Sequence, residues 1–372
     1  MTITNRNDIQ VVDADVKQIL KDSIAQYEQH TGKTLQPAHI EQLLIHVYAY
    51  REMLTRQAMN EAFRQTFPQT AIGVALDLCG ETFGCYRLQN KAARCILRFS
   101  VQGEHASIVI AKGTQVAVND EIRFRTLNDD VITPLINYVD IEAECTQTGT
   151  VGNGWQIGQI NRLQSPLPNV AASNISVHNI DIPSGGLVEE DDDAYRKRIL
   201  AAPEAFSSCG SIAAYDYHAR SVSQDIADVK VSTPQGGQVR ITVLSKNGTA
   251  DNRLLQDIQR HLSADKLRPL CDQVEVIAAT RRDYRIDARL KLLSQYREDL
   301  VRTQAQNALQ QFLSDKTRKL GVDIVPSAII AALRVEGVYD VELIQPQKML
   351  ISEHEWANCT AINLTIDEQR HG

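Results

Sequence analysis

The apolar residues of this chain change their period partway along it. That change limits the possible architectures more than any other feature. Up to about Phe67 they recur at helical spacing. Val16, Ile19, Leu20, Ile24 and Tyr27 fall on one side of a helix over 13–30, with Asp13 or Asp15 as its cap and Gly32 as its end. Pro37 opens a second, longer pattern in which Ile40, Leu43, Leu44, Val47, Tyr50 and Leu54 form a stripe. The pattern continues through Ala58 and Ala62 to Phe67. About 30 residues of helix span roughly 45 Å, long for a helix that serves only its own small domain. Its other face carries Ile45, Tyr48 and Met53. Two readings stand: a helix buried within its own chain, or a bundle helix shared with partner chains. Length favours the second.

A short helix is expected over 71–79, stopped at Gly80. From Arg94 the period becomes two. Cys95, Leu97, Phe99 and Val101 alternate with Arg98 and Ser100, and Val139, Ile141, Ala143 and Cys145 alternate with Asp140, Glu142 and Glu144. With Ile108, Ile110, Ile122 and Phe124 between turn residues, 92–182 reads as a small all-β domain. The acidic run Glu189 to Asp193 lacks the spacing of a calcium loop and reads as a helix start, with Asp192 and Arg196 four apart as a helical ion pair. Helical stretches broken near Pro203 and Gly210, strands around Val229 and over Val239 to Leu244, a helix over 251–262 and a strand from Val274 make 183–280 a mixed α+β region. In 281–372, Tyr284 to Leu292 alternate, Leu300 to Leu313 is helical, Pro326 opens a helix to Leu333, and strands follow at Val338 to Ile344 and Ala361 to Ile366. That order suits a two-layer sandwich. The expected class is a multidomain α+β chain: a helical region over 1–91, an inserted β domain over 92–182, and two α+β domains over 183–280 and 281–372.

Composition narrows the function. Hydrophobic residues at 43% and charged residues at 23% of 372 give material for several cores. A net charge of −7, with only Arg281-Arg282 and Lys316 to Lys319 as short basic runs, argues against a nucleic-acid partner. The seven cysteines form no C-x-x-C pair, which fits buried free thiols in a reducing compartment. No apolar run approaches the ~20 residues of a membrane span, and 1–15 lacks the layout of a signal peptide.

Chemistry is equally sparse. His39 and His46 sit seven apart, unlike a zinc pair, and His218 stands in a helical stretch beside two tyrosines. No nucleophile elbow or P-loop occurs, and the glycines of 149–154 read as a tight turn rather than a dinucleotide fingerprint. Ser207-Ser208-Cys209-Gly210 holds a thiol with no identifiable base. The expectation is no catalysis, no cofactor and no metal. Three classes remain on this basis: a structural assembly protein, a multidomain enzyme lacking a visible site, and an adhesin lacking a signal peptide or disulfides. The first fits best.

An ordered series of small motifs carries a resemblance. It runs Gly152-Asn153-Gly154; Gly185-Gly186; Glu190-x-Asp192-x-x-x-Arg196-x-Arg198; Phe206 to Ser211; Ala214-Tyr215-Asp216-Tyr217-His218-Ala219-Arg220; Arg268-Pro269-Leu270-Cys271-Asp272; and Val335 to Leu343. At the front, Tyr50 to Leu54 and Arg56-Gln57-x-x-Asn60-Glu61-Ala62 belong to it too. In order and spacing the series resembles the baseplate J-like family of contractile phage tails. One form of that family, in temperate coliphages, is shorter and lacks most of the β domain.

The resemblance implies a structural role. Two copies of the chain bind one smaller wedge partner, helices from all three chains form a bundle, and the other domains join neighbouring wedges. Six such wedges ring a central hub and spike, next to a sheath-initiating, lysozyme-like baseplate protein, and the ring changes diameter on firing. The bundle face would be Ile40, Leu43, Val47, Tyr50 and Leu54. The implied location is a virion or tail-like particle made in a bacterial cytoplasm, with no direct membrane insertion. The resemblance leaves open an infectious phage, a defective prophage, a phage-tail-like bacteriocin or another contractile injection system.

Overall fold

The computed structural model describes residues 9–103, 105–167, 174–206, 210–264 and 272–370. The chain divides into two compact units, Met1–Arg87 with Asp191–Pro203, and Leu88–Glu190 with Glu204–Gly372.

In the first unit, α1 (Val16–Thr31) begins where the Asp15 side chain accepts from Lys17 N and ends at Gly32, whose φ of 66° is the left-handed conformation that glycine adopts without strain. The long helix α2 (Ile40–Arg64) has 25 residues, roughly 38 Å. It is shorter than its periodicity suggests. Pro37 lies in the turn before it, and His39 is the N-cap, its ring nitrogen accepting from Gln36 N at 3.1 Å. The expected helix stop at Gly80 is also corrected. Helix α3 (Gly73–Glu81) runs through Gly80, which is glycine because a Cβ there would collide with the Tyr195 hydroxyl and the Cys85 carbonyl. Helix α4 (Asp192–Ala201) packs in this same unit, against α3.

The second unit begins with the β-rich part. Strands β1 (Ala92–Val101), β3 (Gln115–Ala117), β4 (Arg123–Thr126), β6 (Tyr138–Thr148), β7 (Arg162–Leu163) and β8 (Ile175–Asn179) form one antiparallel sheet in the order β7-β3-β4-β6-β1-β8. β7 also lies against β8, so the sheet nearly closes into a barrel. A separate pair, β2 (Ile108–Ile110) and β5 (Asp130–Ile132), lies beside it. The two-residue period has its physical cause here: Cys95, Leu97, Phe99, Phe124, Ile141 and Ala143 point into one buried cluster while Arg98, Asp140 and Glu144 point out.

The middle part has β9 (Ile226–Ser232), β10 (Gln238–Ser245), β11 (Gly248–Thr249) and β12 (Gln273–Ala278), with β10 central and β12 parallel to it. Helices α5 (Ile212–Arg220) and α6 (Asn252–Leu262) contribute Tyr215, Ala219, Ile258 and Leu262 to the core over that sheet. The C-terminal part sets β13 (Thr280–Leu293) between β14 (Val338–Gln345) and β15 (Glu355–Arg370), parallel to β15 and antiparallel to β14. Helices α7 (Glu298–Thr317) and α8 (Pro326–Leu333) share a core with Tyr284, Ile286, Ala288, Leu290 and Leu292. The last strand extends well beyond the expected Ala361 to Ile366. The whole is a multidomain α+β chain with a β barrel between helical and α+β parts.

Candidate assembly surface and its supporting motifs

Helix α2 has two faces. One carries Gln42, Ile45, Ala49, Met53, Arg56 and Asn60, buried or half-buried, and α2 packs there on α1. At about 100° per residue, the opposite face carries the apolar stripe. That stripe faces solvent: Ile40 is 73% exposed, Leu43 59%, Leu44 54%, Val47 57%, Tyr50 56% and Leu54 44%. Six large apolar side chains in a row are far more than the scattered exposed residues every protein carries.

The C-terminal half of α2 is fixed by a latch. Asn60, buried, accepts from Val11 N and Val12 N at 2.8 and 3.0 Å and donates to Val12 O at 2.8 Å. Arg64 donates to Ile9 O at 3.1 Å and Arg56 to Asp13 O at 2.8 Å. Asn60 thereby ties the segment before α1 to α2 through its backbone. The sequence signal was present only as one position of the helix motif, since a buried asparagine and a surface one look alike in a sequence.

The motif from Glu190 to Arg198 binds backbone. Asp191 caps α4, accepting from Ala194 N at 2.8 Å. Asp192 does not pair with Arg196 as expected. Its carboxylate accepts from Gly73 N at 2.9 Å and from Arg87 at 2.7 Å, because the first turn of α4 meets the start of α3. Those N–H donors, Gly73 first, hold its pKa below the usual carboxylate range. Arg196 instead pairs with Asp193 at 2.6 Å and donates to Pro68 O and Ala71 O at 2.9 and 2.8 Å. Arg198 donates to Tyr86 O. Between these, Tyr195 is buried with its hydroxyl donating to Cys85 O at 2.6 Å, and Arg87 stacks 4.6 Å from its ring. Burial pushes the Tyr195 hydroxyl up to about 12. Four positions of one helix, Asp192, Tyr195, Arg196 and Arg198, thus hold backbone and side-chain groups of 68–87. In the second unit, Glu190 is buried and pairs with Leu88 in both directions, its carboxylate accepting from Leu88 N and its own N–H reaching Leu88 O, each at 3.0 Å.

The glycine motifs come together. The Asn153 amide brackets Gly186, donating to its carbonyl at 2.8 Å and accepting from its N–H at 2.9 Å. Gly154 N donates to Pro183 O at 2.9 Å. A Cβ on Gly152 would lie 2.9 Å from Ala93 Cβ and 2.8 Å from Cys145 Cβ, and one on Gly186 would strike the Gly149 carbonyl. Gly152 and Gly186 are there because neighbouring segments leave no room for a side chain. Rather than a simple turn between strands, Thr150–Gly152 is a 3₁₀ turn that ends this junction.

In the middle part, Asp272 accepts from the Tyr215 hydroxyl at 2.7 Å, so two motifs distant in sequence meet there. Arg268, Pro269 and Cys271 of the same motif lie outside the described residues, as do Ser207, Ser208 and Cys209. Arg220 bonds Asp216 at 2.9 Å and Asp228 at 2.8 Å. His218 and His261 stand with ring centroids 5.9 Å apart, and burial followed by their mutual repulsion depresses the His218 pKa. Among the described residues, no group of three or more His, Cys, Asp or Glu is placed to hold a metal ion, and no helix is long and apolar enough to cross a membrane.

The chain is a series of small α, β and α+β parts whose motif residues bind backbone, with one apolar helix face open to solvent. Four family models then match along it: the baseplate J-like N-terminal domain over 42–94, barrel domain over 96–186, central domain over 207–278 and C-terminal domain over 284–365. The chain belongs to the baseplate J-like family. It is 41% identical over 167 residues to baseplate protein J of Escherichia phage P2, a match spanning 44% of this chain and 55% of that protein. The chain therefore spans little more than half the length of this curated relative. A solved structure, the six-fold symmetrised cryo-EM baseplate of the anti-feeding prophage, aligns over 93% of this chain and 90% of its own at 12% identity, with a TM-score of 0.42. A likeness of that size carries no argument.

Proposed function

We propose that this chain is a structural component of the baseplate of a contractile tail, without enzymatic activity. Two copies join one smaller wedge protein, and the stripe of Ile40, Leu43, Val47, Tyr50 and Leu54 is the seam of the bundle they form. The barrel, middle and C-terminal parts, divided at about 92–182, 183–280 and 281–372, join neighbouring wedges around the hub and spike and beside the lysozyme-like sheath initiator. They change neighbours when the tail fires. The observation that carries this is the exposed face of α2, opposite the face that packs on α1. A helix with two apolar faces and one intramolecular partner is a bundle helix short of its other members. Family membership supports the setting.

The test is co-expression of the chain with the neighbouring tail genes, followed by electron microscopy. Wedges or rings containing two copies per wedge support the proposal. A chain that stays out of every particle refutes it. The same assembly would serve a phage or a phage-tail-like bacteriocin, and a DNA-filled head on the purified particle would separate these.

A further inference from the structure

The second unit contains two internal joints, and they are built differently. Between the middle and C-terminal parts the joint is dry. Leu244, Ala279 and Trp356 form a buried apolar cluster, with Ala227 and Leu320 packed on it. Asp228 accepts from Leu320 N at 2.9 Å, Thr242 bonds the His354 ring at 2.8 Å, and β12 is followed almost at once by β13. Between the barrel and the middle part the contacts are polar. Ser184 donates to the Asp251 carboxylate at 2.9 Å, the Lys91 ammonium to Val222 O at 3.2 Å, and the Gln224 amide to Val188 O. Arg253 faces Glu142 at 3.6 Å, an open pair that Glu142 shares with Arg94 at 3.7 Å.

A groove of about 860 Å³ lies along this joint, its walls including Asp225, Asn247, Thr249 and Asp257. Among the described residues, the barrel's buried apolar cluster takes all its members from 92–177 and that of the middle part from 215–276. Opening a polar joint exchanges protein hydrogen bonds for water, at small net cost. Opening the dry joint exposes apolar surface, at full cost.

We propose that the barrel swings on the middle part about this polar joint, while the middle and C-terminal parts move as one body. This deepens the baseplate reading, because it names the part of the chain that changes neighbours. Its test needs no baseplate, so the two ideas fail separately. Fluorophores are placed by unnatural amino acids at exposed Glu121 of the barrel and Gln235 of the middle part, in the full chain, and energy transfer is read molecule by molecule. A control pair joins Gln235 to Gln311 on α7. Raising salt from about 0.1 M to about 1 M screens the open ion pairs. An opened population of the first pair should grow by about 1.4- to 5-fold, the worth of one such ion pair. Arg253→Ala should reproduce that growth at low salt, while the control pair stays at one distance. A barrel pair that keeps a single distance in high salt and in Arg253→Ala overturns the proposal. So does a control pair that shifts along with it.

Discussion

Val47→Asp should separate assembly from folding, because the proposed seam gives Val47 surroundings that the lone chain does not. In the lone chain Val47 is 57% exposed. Aspartate and valine have similar helix propensities, and an exposed substitution rarely moves stability by more than about 0.5 kcal/mol. The melting temperature of the lone chain should therefore shift by no more than about 2 °C. In a bundle the same position loses about 1 kcal/mol of apolar burial and gains a carboxylate stripped of water, for several kcal/mol more. Arg51, one turn on along the same helix, returns only about 0.2–0.5 kcal/mol through an ion pair. The net loss is about 3–5 kcal/mol, or roughly 100- to 5,000-fold in affinity. The assay is co-purification with the smaller wedge protein, then light scattering of the product, beside a thermal melt of the variant alone. Wedges of wild-type size formed with wild-type affinity would show that the stripe is not a seam. A variant that melts many degrees early would show that Val47 already has an intramolecular partner.

Three other substitutions address the supporting motifs. Asn60→Ala removes three hydrogen bonds at a buried position and should cost about 2–4 kcal/mol. Hydrogen exchange should rise over 11–20 before it rises in the barrel, and uniform protection would refute the latch. Asn153→Ala strands the N–H and carbonyl of Gly186 and should destabilise the second unit by about 1–3 kcal/mol, read as a lowered urea midpoint with an unchanged slope. His218 has its pKa lowered by burial, so its contribution to stability is complete above the unfolded value near 6.5 and falls away as pH drops through that value toward the folded one. The wild type should lose stability as pH falls below about 6.5, and His218→Gln should flatten that slope. An identical slope in the two proteins would place the titration elsewhere.

Local periodicity was legible wherever one face of an element is buried by its own neighbours. Helix α8 starts at Pro326 and ends at Leu333 as the sequence suggests, and the alternation from Tyr284 to Leu292 is the inward face of β13. Errors fell where a distant segment decides the outcome. Gly80 reads as a stop because glycine breaks isolated helices, yet here it admits the Tyr195 hydroxyl from more than a hundred residues away. Asp192 and Arg196 have helical pairing distance, but each finds a better partner on the segment before the barrel. Pro37 can start a helix or precede one, and only the His39 cap tells which. The α2 stripe was readable as apolar, while its exposure required the position of α1.

The fourteen-residue parallel pairing of β13 with β15 bears on how the chain is made. β13 leaves the ribosome before both of its partners, and the one on this side is the last element described. Until β15 emerges, β13 has a bare edge of hydrogen-bonding groups and the apolar core beneath it stays open to water. A nascent chain interrupted in this region would carry finished upstream parts beside an unfinished sheet that invites degradation or aggregation. Closure of this sheet therefore waits on the synthesis of β15: only a chain that already includes 355–370 can cover the edge of β13.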